Sequence, residues 1–430
     1  MISRRCLDSG RGWWLHAVWD GEIIPTRYLS NMRLILFMIT LQLTAILAGC
    51  AARPHASSDE KPVLDDTPIL ATNHPLLPEE PPPAEAARVF RTDFSRHTVP
   101  YAEILSGGPS KDDIPSIDTP RFVPVADADR WLRPNEPVIL LDIDNDVRAY
   151  PVRIIIWHEL VNDMVGGRPV LISFCPLCNT AIAFDRRVGN HVLDFGTTGY
   201  LHYSNLIMYD RQTENWWQQA TGEAIAGKYA GALLSPIATR IVPWSHLRET
   251  YPEAKVLSGA TGHTRDYGRN PYAGYDDISA TPFLYHGPAT PSAFPPMEHV
   301  LGLSVRNGLV AYPYSVLARK HVVNDTIDGV PVVIFWQPGM TSGLNGSEIS
   351  GGDDIGSAAA FESKFDGRVL RFAVENGEIV DDLTGNVWNG YGISVSKPSP
   401  GKHLAPLNGI NAFWFVWSAF HPNARVYTGH

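Results

Sequence analysis

One internal echo constrains this chain more than any other feature. Arg148-Ala149-Tyr150-Pro151, Val161-Asn162-Asp163 and Gly167-Arg168-Pro169-Val170 return as Val310-Ala311-Tyr312-Pro313, Val323-Asn324-Asp325 and Gly329-Val330-Pro331-Val332, always 162 residues later. Asp210-Arg211-Gln212-Thr213 up to Trp217 pairs with Asp381-Asp382-Leu383-Thr384 up to Trp388, at a spacing of 171. Pro243-Trp244 to Tyr251-Pro252 and Val256-Leu257-Ser258-Gly259 pair with Phe413-Trp414 to His421-Pro422 and Val426-Tyr427-Thr428-Gly429, at 170. A register kept over such lengths predicts two related modules. Two copies are too few for a solenoid, so the expected form is a pseudo-symmetric pair sharing a core.

Within each module the local signals favour strands. Pro137 to Ile143 reads as a strand, Pro151 suits the first turn of a short helix, and Pro169-Val170-Leu171-Ile172-Ser173-Phe174 is a buried type of strand. Ala181 to Phe184, Val192 to Phe195 and Leu206 to Tyr209 follow as strands split by Gly and Asn, and Trp244 to Glu249 closes the module as a helix. Gly 36 and Pro 35 together make about one residue in six, which also favours strands and turns over a helical bundle. The expected class is α+β, β-dominated and internally duplicated: module one over 89–260, a polar-aromatic insertion over 261–300, and module two over 301–430. The insertion carries Arg265-Asp266-Tyr267-Gly268-Arg269-Asn270-Pro271-Tyr272 and Tyr275-Asp276-Asp277, and loops of this length are uncommon without a function.

Upstream, residues 1–31 show no clean period, whereas Met32 opens a better start. Arg33 precedes an apolar run from Leu34 to Leu47 that is too short to span a membrane and fits a cleaved signal. The run ends Leu47-Ala48-Gly49-Cys50, which resembles the lipobox of bacterial lipoproteins. That resemblance implies removal of 1–49, a true start at Met32, and acylation of Cys50 to the lipid bilayer. With Ala51 next, it also implies a place in the cell envelope, on the periplasmic face of the outer membrane in a Gram-negative cell. Residues 50–88, with Pro81-Pro82-Pro83 among many prolines, read as a semi-extended, disordered tether. The whole chain carries Lys+Arg 35 against Asp+Glu 45, and losing 1–49 leaves 30 against 42. Nucleic acid would be repelled by that charge, so no nucleic-acid partner is expected.

Cleavage changes the cysteine arithmetic. Cys6 lies upstream and Cys50 would be acylated, so only Cys175 and Cys178 remain, in Phe174-Cys175-Pro176-Leu177-Cys178-Asn179. Set between two strands, the pair resembles a metal knuckle. On a strand-to-helix turn it would resemble a redox pair, and in an oxidising compartment it would also form a structural disulfide. All three readings stay open. The second copy has Gln337 for Cys175, Pro338 for Pro176 and Met340 for Cys178, which puts the chemistry in module one. His158, matched by Lys320, is the leading third ligand, and Met208, matched by Ile379, is the candidate fourth. Thiolate with thioether is soft coordination, suited to Cu(I); zinc would prefer a second His, for which His202 is a spare. Glu159 is placed to orient His158 or to act as a general base. Asp210 and Thr213, present in both copies, read as turn formers, and Trp216, Trp217 and Trp388 as core. Gly227 and Gly231 lack a following Lys-Ser/Thr, so no nucleotide cofactor is expected, and no Gly-x-Ser-x-Gly element supports a serine hydrolase. His403 and His421 stand alone.

Five motifs in order resemble one bacterial family, domain of unknown function 3179: Gly107-Gly108-Pro109-Ser110-Lys111-Asp112-Asp113-Ile114-Pro115, Ala149-Tyr150-Pro151 with Trp157-His158-Glu159-Leu160-Val161-Asn162-Asp163, Phe174-Cys175-Pro176-Leu177-Cys178, Met208-Tyr209-Asp210-Arg211, and Arg265-Asp266-Tyr267-Gly268-Arg269. The resemblance covers about 100–430 and implies no activity. Three functions are therefore expected in turn. The first is binding of Cu(I) or zinc through Cys175, Cys178, His158 and Met208, with Glu159 beside them. The second is a thiol–disulfide oxidoreductase in which Cys175 attacks and Cys178 resolves. The third is an interaction module with a structural disulfide and Tyr267 to Tyr275 as its surface. The sequence names no protein partner or substrate.

Overall fold

The computed structural model describes residues 71–429, apart from 73 and 397–399, so the signal, Met32 and Cys50 lie outside the described residues. Strands β1 (Pro137–Ile143) and β2 (Asp146–Pro151) form a hairpin closed by Asp144-Asn145, both at positive φ. That is the turn geometry whose twist matches the flanking strands. Helix α1 (Val152–Ile155) leads into β3 (Leu160–Val165), β4 (Arg168–Cys175) and β5 (Thr180–Asp185), an antiparallel set. Strands β6 (Phe195–His202), β7 (Asn205–Asp210) and β8 (Trp216–Gln218) make a third layer. Then β9 (Arg240–Pro243), α2 (Trp244–Thr250) and β10 (Lys255–Leu257) return to the first sheet, whose order is β9-β1-β2-β10 with Phe122–Pro124 on the edge.

From His299 a similar order of elements follows. Strands β11 (His299–Val305) and β12 (Gly308–Pro313), α3 (Tyr314–Lys320), β13 (Val322–Ile327) and β14 (Val330–Gln337) come first. β15 (Ser357–Glu362), β16 (Phe372–Glu375), β17 (Glu378–Asp381) and β18 (Val387–Trp388) follow, then β19 (Gly409–Phe413), α4 (Trp414–Phe420) and β20 (Arg425–Val426). The sheet order is β19-β11-β12-β20. In both sheets the last strand lies parallel to its neighbour while the others are antiparallel. The fold is α+β and strand-dominated.

The residues echoed in sequence hold these sheets together. Asn162 brackets the start of β6, donating to the Phe195 carbonyl and accepting from its N–H, both at 2.9 Å; Asn324 does the same to Phe372 at 2.8 Å. Tyr150 donates to Asp163 at 2.6 Å, and Tyr312 to Asp325 at 2.7 Å. The Trp217 indole reaches Asp210 at 3.0 Å and the Trp388 indole reaches Asp381 at 2.9 Å. Each bond satisfies a buried polar group that would otherwise destabilise the sheet by about 1–3 kcal/mol. Asp210 and Thr213 are thus turn formers, as their recurrence suggested, and Trp216, Trp217 and Trp388 are core.

One apolar cluster takes in Ile155, Ile172, Phe174, Cys175 and Cys178 together with Met340, Leu344, Phe413 and Phe415. Helix α4 buries Trp414, Phe415, Val416, Trp417 and Ser418, so it is apolar nearly all round because it is covered all round. The Pro-rich stretch from 71 lies along the fold instead of standing off it as a tether. Ala71 bridges to Ala232, His74 contacts Glu223 at 2.8 Å, Glu80 accepts from the Tyr101 N–H, and Ala86 is fully buried. Prolines lack only the N–H, so such a segment still docks through its carbonyls and side chains. Among the described residues, no helix is long and apolar enough to cross a membrane.

Candidate functional site

The site begins with a hairpin. β4 ends at Cys175, a single 3-10 turn carries Pro176–Cys178, and Asn179 takes a left-handed conformation (φ 52°) before β5 starts at Thr180. Pro176 presets the turn, and Asn is among the few residues other than Gly that tolerate its left-handed exit. The pair therefore sits on a strand-to-strand turn, with no helix N-terminus to hold a thiolate. Cys175 and Cys178 are free thiols, 2% and 0% exposed.

Both sulfurs face one carbonyl. The Cys178 Sγ lies 3.4 Å and the Cys175 Sγ 3.9 Å from the Ser204 oxygen. Ser204 and Tyr203 form the two-residue turn between β6 and β7, both at positive φ, and the Ser204 hydroxyl is tied to the Phe283 carbonyl at 2.5 Å. Beside them runs a buried polar chain. Asn205 and Thr180 each donate to the Gln219 amide oxygen at 2.8 Å, and Gln219 donates to Ser173 at 3.0 Å. Burial, with Cys175 alongside, pushes the Cys178 thiol up against a smaller opposing pull from Asn205.

Glu159 is the third member. Glu159 ends the turn after α1 at φ 59°, and its carbonyl accepts from Phe174, the residue before Cys175. Burial alone pushes its carboxyl up to about 8, and its charge acts on Cys178 and on Tyr272. His321, 162 residues on, has the same left-handed φ of 58°. The backbone shape is thus common to both halves, while the buried acid belongs to the first alone.

The insertion covers the thiols. The Tyr275 hydroxyl donates to the Leu177 carbonyl, inside the Cys-Pro-Leu-Cys turn, at 3.0 Å and accepts from the Phe283 N–H at 3.3 Å. Burial and the neighbouring Cys178 push the Tyr275 phenol up; burial, Glu159 and Cys175 do the same to Tyr272. Phe413 and Phe415 then back Tyr275 and Tyr285, with ring centres 6.1 and 5.0 Å apart. Asn179 reaches His299 at 3.0 Å, and His299 lies 3.7 Å from Asp276 of the insertion. Tyr272 and Tyr275 are half-buried, and Tyr267 lies against His158 instead of the thiols.

His158 and Met208 are engaged by other partners. The Pro115 carbonyl can only accept, so His158 Nδ1 carries the proton at 2.7 Å, and Nε2 takes the Tyr267 hydroxyl at 2.6 Å. Burial, with a little repulsion from His263 and Arg265, pulls this ring down to about 4, so it is neutral at pH 7 with both nitrogens engaged. Met208 lies within β7 between Thr197 and Trp217 of the adjacent strands. It is four residues beyond Ser204, roughly 13 Å of strand. The spare His202 is held by Gln218 at 2.8 Å and Glu103 at 3.0 Å. Among the described residues, no three His, Cys, Asp or Glu side chains are grouped to hold a metal ion. Reading the sequence missed Ser204, Asn205 and Gln219, and it named Tyr272 and Tyr275 as part of an aromatic surface, not as neighbours of the thiols.

A family model for a protein of unknown function (DUF3179) matches residues 111–424. No curated protein and no solved structure matches the chain.

Proposed function

The chain belongs to the DUF3179 family, and we propose that its working centre is the Cys175–Cys178 dithiol, a redox pair in a lipid-anchored envelope protein. One observation carries the reading: two buried thiols share one turn and face one carbonyl, in a chamber whose burial favours uncharged groups, with the buried acid Glu159 within electrostatic reach of Cys178. Dithiol and disulfide are both neutral, so the chamber suits each end state, whereas oxidation inside it needs a group to move protons.

With an organic disulfide as oxidant, the Cys175 thiolate attacks one sulfur, a mixed disulfide forms and one thiolate leaves. Cys178 then attacks the Cys175 sulfur, the internal disulfide closes and the second thiolate leaves. Two electrons pass to the partner. The two protons lost by Cys175 and Cys178 end on the leaving thiolates, with Glu159 carrying a proton in transit. For this the tyrosine cover must open, because both sulfurs are shielded.

A second reading, capture of Cu(I), is favoured by the convergence of both sulfurs on the Ser204 carbonyl. Two thiolates suit a two-coordinate soft cation, whereas zinc calls for four donors. The anchoring part of the proposal is supported by the lipobox resemblance of Leu47-Ala48-Gly49-Cys50, under which Cys50 would carry the lipid and the globular part would face the periplasm of a Gram-negative cell. We also infer that the two halves are copies of one module. The spacing of 162, the shared sheet order and the matching Asn162/Asn324 and Tyr150/Tyr312 bonds support this.

The test is free-thiol counting and metal content on the anaerobically purified full chain, beside a Cys175→Ser/Cys178→Ser variant. The redox reading expects two thiols beyond those of the variant, no metal, and reversible loss of both across a glutathione titration. About one equivalent of copper or zinc, absent from the variant, would replace it with the metal reading. Thiols that stay reduced in oxidised glutathione would overturn it.

A further inference from the structure

The place in the second half that corresponds to the thiol chamber is an open cleft of about 410 Å³, lined among others by His246, His321, Trp336, Gln337, Pro338 and Ile379. At the spacings found above, His321 stands for Glu159, Trp336 for Phe174, Gln337 for Cys175, Pro338 for Pro176 and Ile379 for Met208. Each chamber is also flanked by a helix of the other half. Helix α2 supplies His246 here, and α4 supplies Phe420, 5.8 Å from the Tyr203 ring, there. In the first half the insertion fills this space with Tyr272 and Tyr275. In the second half no side chain of the insertion lines the cleft.

We infer that this cleft binds a neutral aromatic ligand bearing a hydroxyl, a phenol-type ring set where Tyr272 and Tyr275 sit in the first half. The inference rests on the correspondence of the two halves and not on the redox reading. The cleft falls in the usual size range of small-molecule sites. Its wall is aromatic, with the His321 and Trp336 rings 5.2 Å apart and inclined at 59°, and Val374 and Ile379 add apolar surface. No Asp, Glu, Lys or Arg lines it, so a charged ligand would be desolvated without a partner. Trp336, in the same wall and 8% exposed, carries a buried indole N–H with no hydrogen-bond partner among the described residues. That N–H lies beneath the wall, so the Gln337 amide and the imidazoles are the groups that would serve the ligand hydroxyl. His246, lowered by burial against a weaker pull from Glu249, meets the ligand as a neutral ring.

Titration of the full chain with p-cresol by calorimetry tests this. The expected result is one saturable equivalent, weakened at least tenfold in Val374→Trp, which fills the cleft from an exposed position, and unchanged in Val369→Trp, which lies outside it. The Cys175→Ser/Cys178→Ser variant is expected to bind as the parent does, so loss of the redox reading would leave this one standing. No saturable binding up to about 10 mM, or equal binding in Val374→Trp, would overturn the site. Tighter binding of 4-hydroxybenzoate or tyramine would overturn its preference for a neutral ring.

Discussion

Replacing Glu159 by Gln tests the buried acid most directly, because the effect has a calculable pH dependence. In the folded protein the carboxyl keeps its proton up to about pH 8, whereas the unfolded chain releases it near the ordinary value of 4.5. Between those values the folded state binds more protons, so stability falls as pH rises. The contribution is fully present below about 4.5 and lost through about 8. The gap amounts to about 5 kcal/mol across the window and about 3 kcal/mol at pH 7. Gln keeps the shape and never ionises. The parent is therefore expected to lose about 1.4 kcal/mol per pH unit relative to Glu159→Gln between pH 5 and 8. The assay is urea unfolding of both proteins at half-unit steps from pH 4.5 to 8. Curves that stay parallel across the whole range, at any constant offset, would reflect packing alone and refute the argument. Glu159→Gln is also expected to slow disulfide closure and to flatten its pH profile near 8. A variant more stable at pH 7 yet slower in chemistry would mark Glu159 as a residue kept at the expense of stability.

Tyr275→Phe removes the hydroxyl that ties the insertion to Leu177 and Phe283, and N-ethylmaleimide is expected to react with the thiols several-fold faster, by about 1 kcal/mol of lost restraint. An unchanged rate would show that this hydroxyl does not hold the cover. Met208→Leu is expected to leave thiol reactivity and copper uptake as they are and to change stability by less than about 1.5 kcal/mol; a marked loss of copper would return Met208 to the site. Gly302→Ala drives a methyl group into the buried Trp417 ring and is expected to destabilise the second half by about 2 kcal/mol or more. Trp217→Phe and Trp388→Phe each leave a buried aspartate short of a donor, and losses of about 2 kcal/mol from each, measured by urea unfolding, are expected.

The sequence carried the local elements well, because they follow from short-range chemistry. Pro137 to Ile143 is a strand as read, the Cys-Pro-Leu-Cys turn lies between strands as its flanks implied, and Trp244 opens a helix after Pro243. What lies around the thiols was hidden, because it comes from far along the chain. Ser204 arrives on a hairpin tip, Tyr275 from the insertion, and Phe413 from β19. The places of His158 and Met208 were obscured for different reasons. Glu159 adopts a left-handed backbone at the end of the turn, and the preceding His158 is taken up by Pro115 and Tyr267, partners on separate loops. Met208 looked special because Ile379 replaces it, yet both are buried strand residues, and that exchange is one a core tolerates. Spacing alone could not tell a ligand from a packing residue.

The closure of the dithiol by β19 and α4 bears on how the protein is made. Phe413 and Phe415, which back Tyr275 and Tyr285, are encoded roughly 240 residues after the cysteines they help to shield. Contacts of such long sequence separation form late. Until they do, Cys175 and Cys178 meet whatever thiols, disulfides or metals surround the emerging chain. The oxidation state with which the finished molecule starts is therefore set by the surroundings in which it was assembled, and translation that stalls before β19 would leave the pair open to capture.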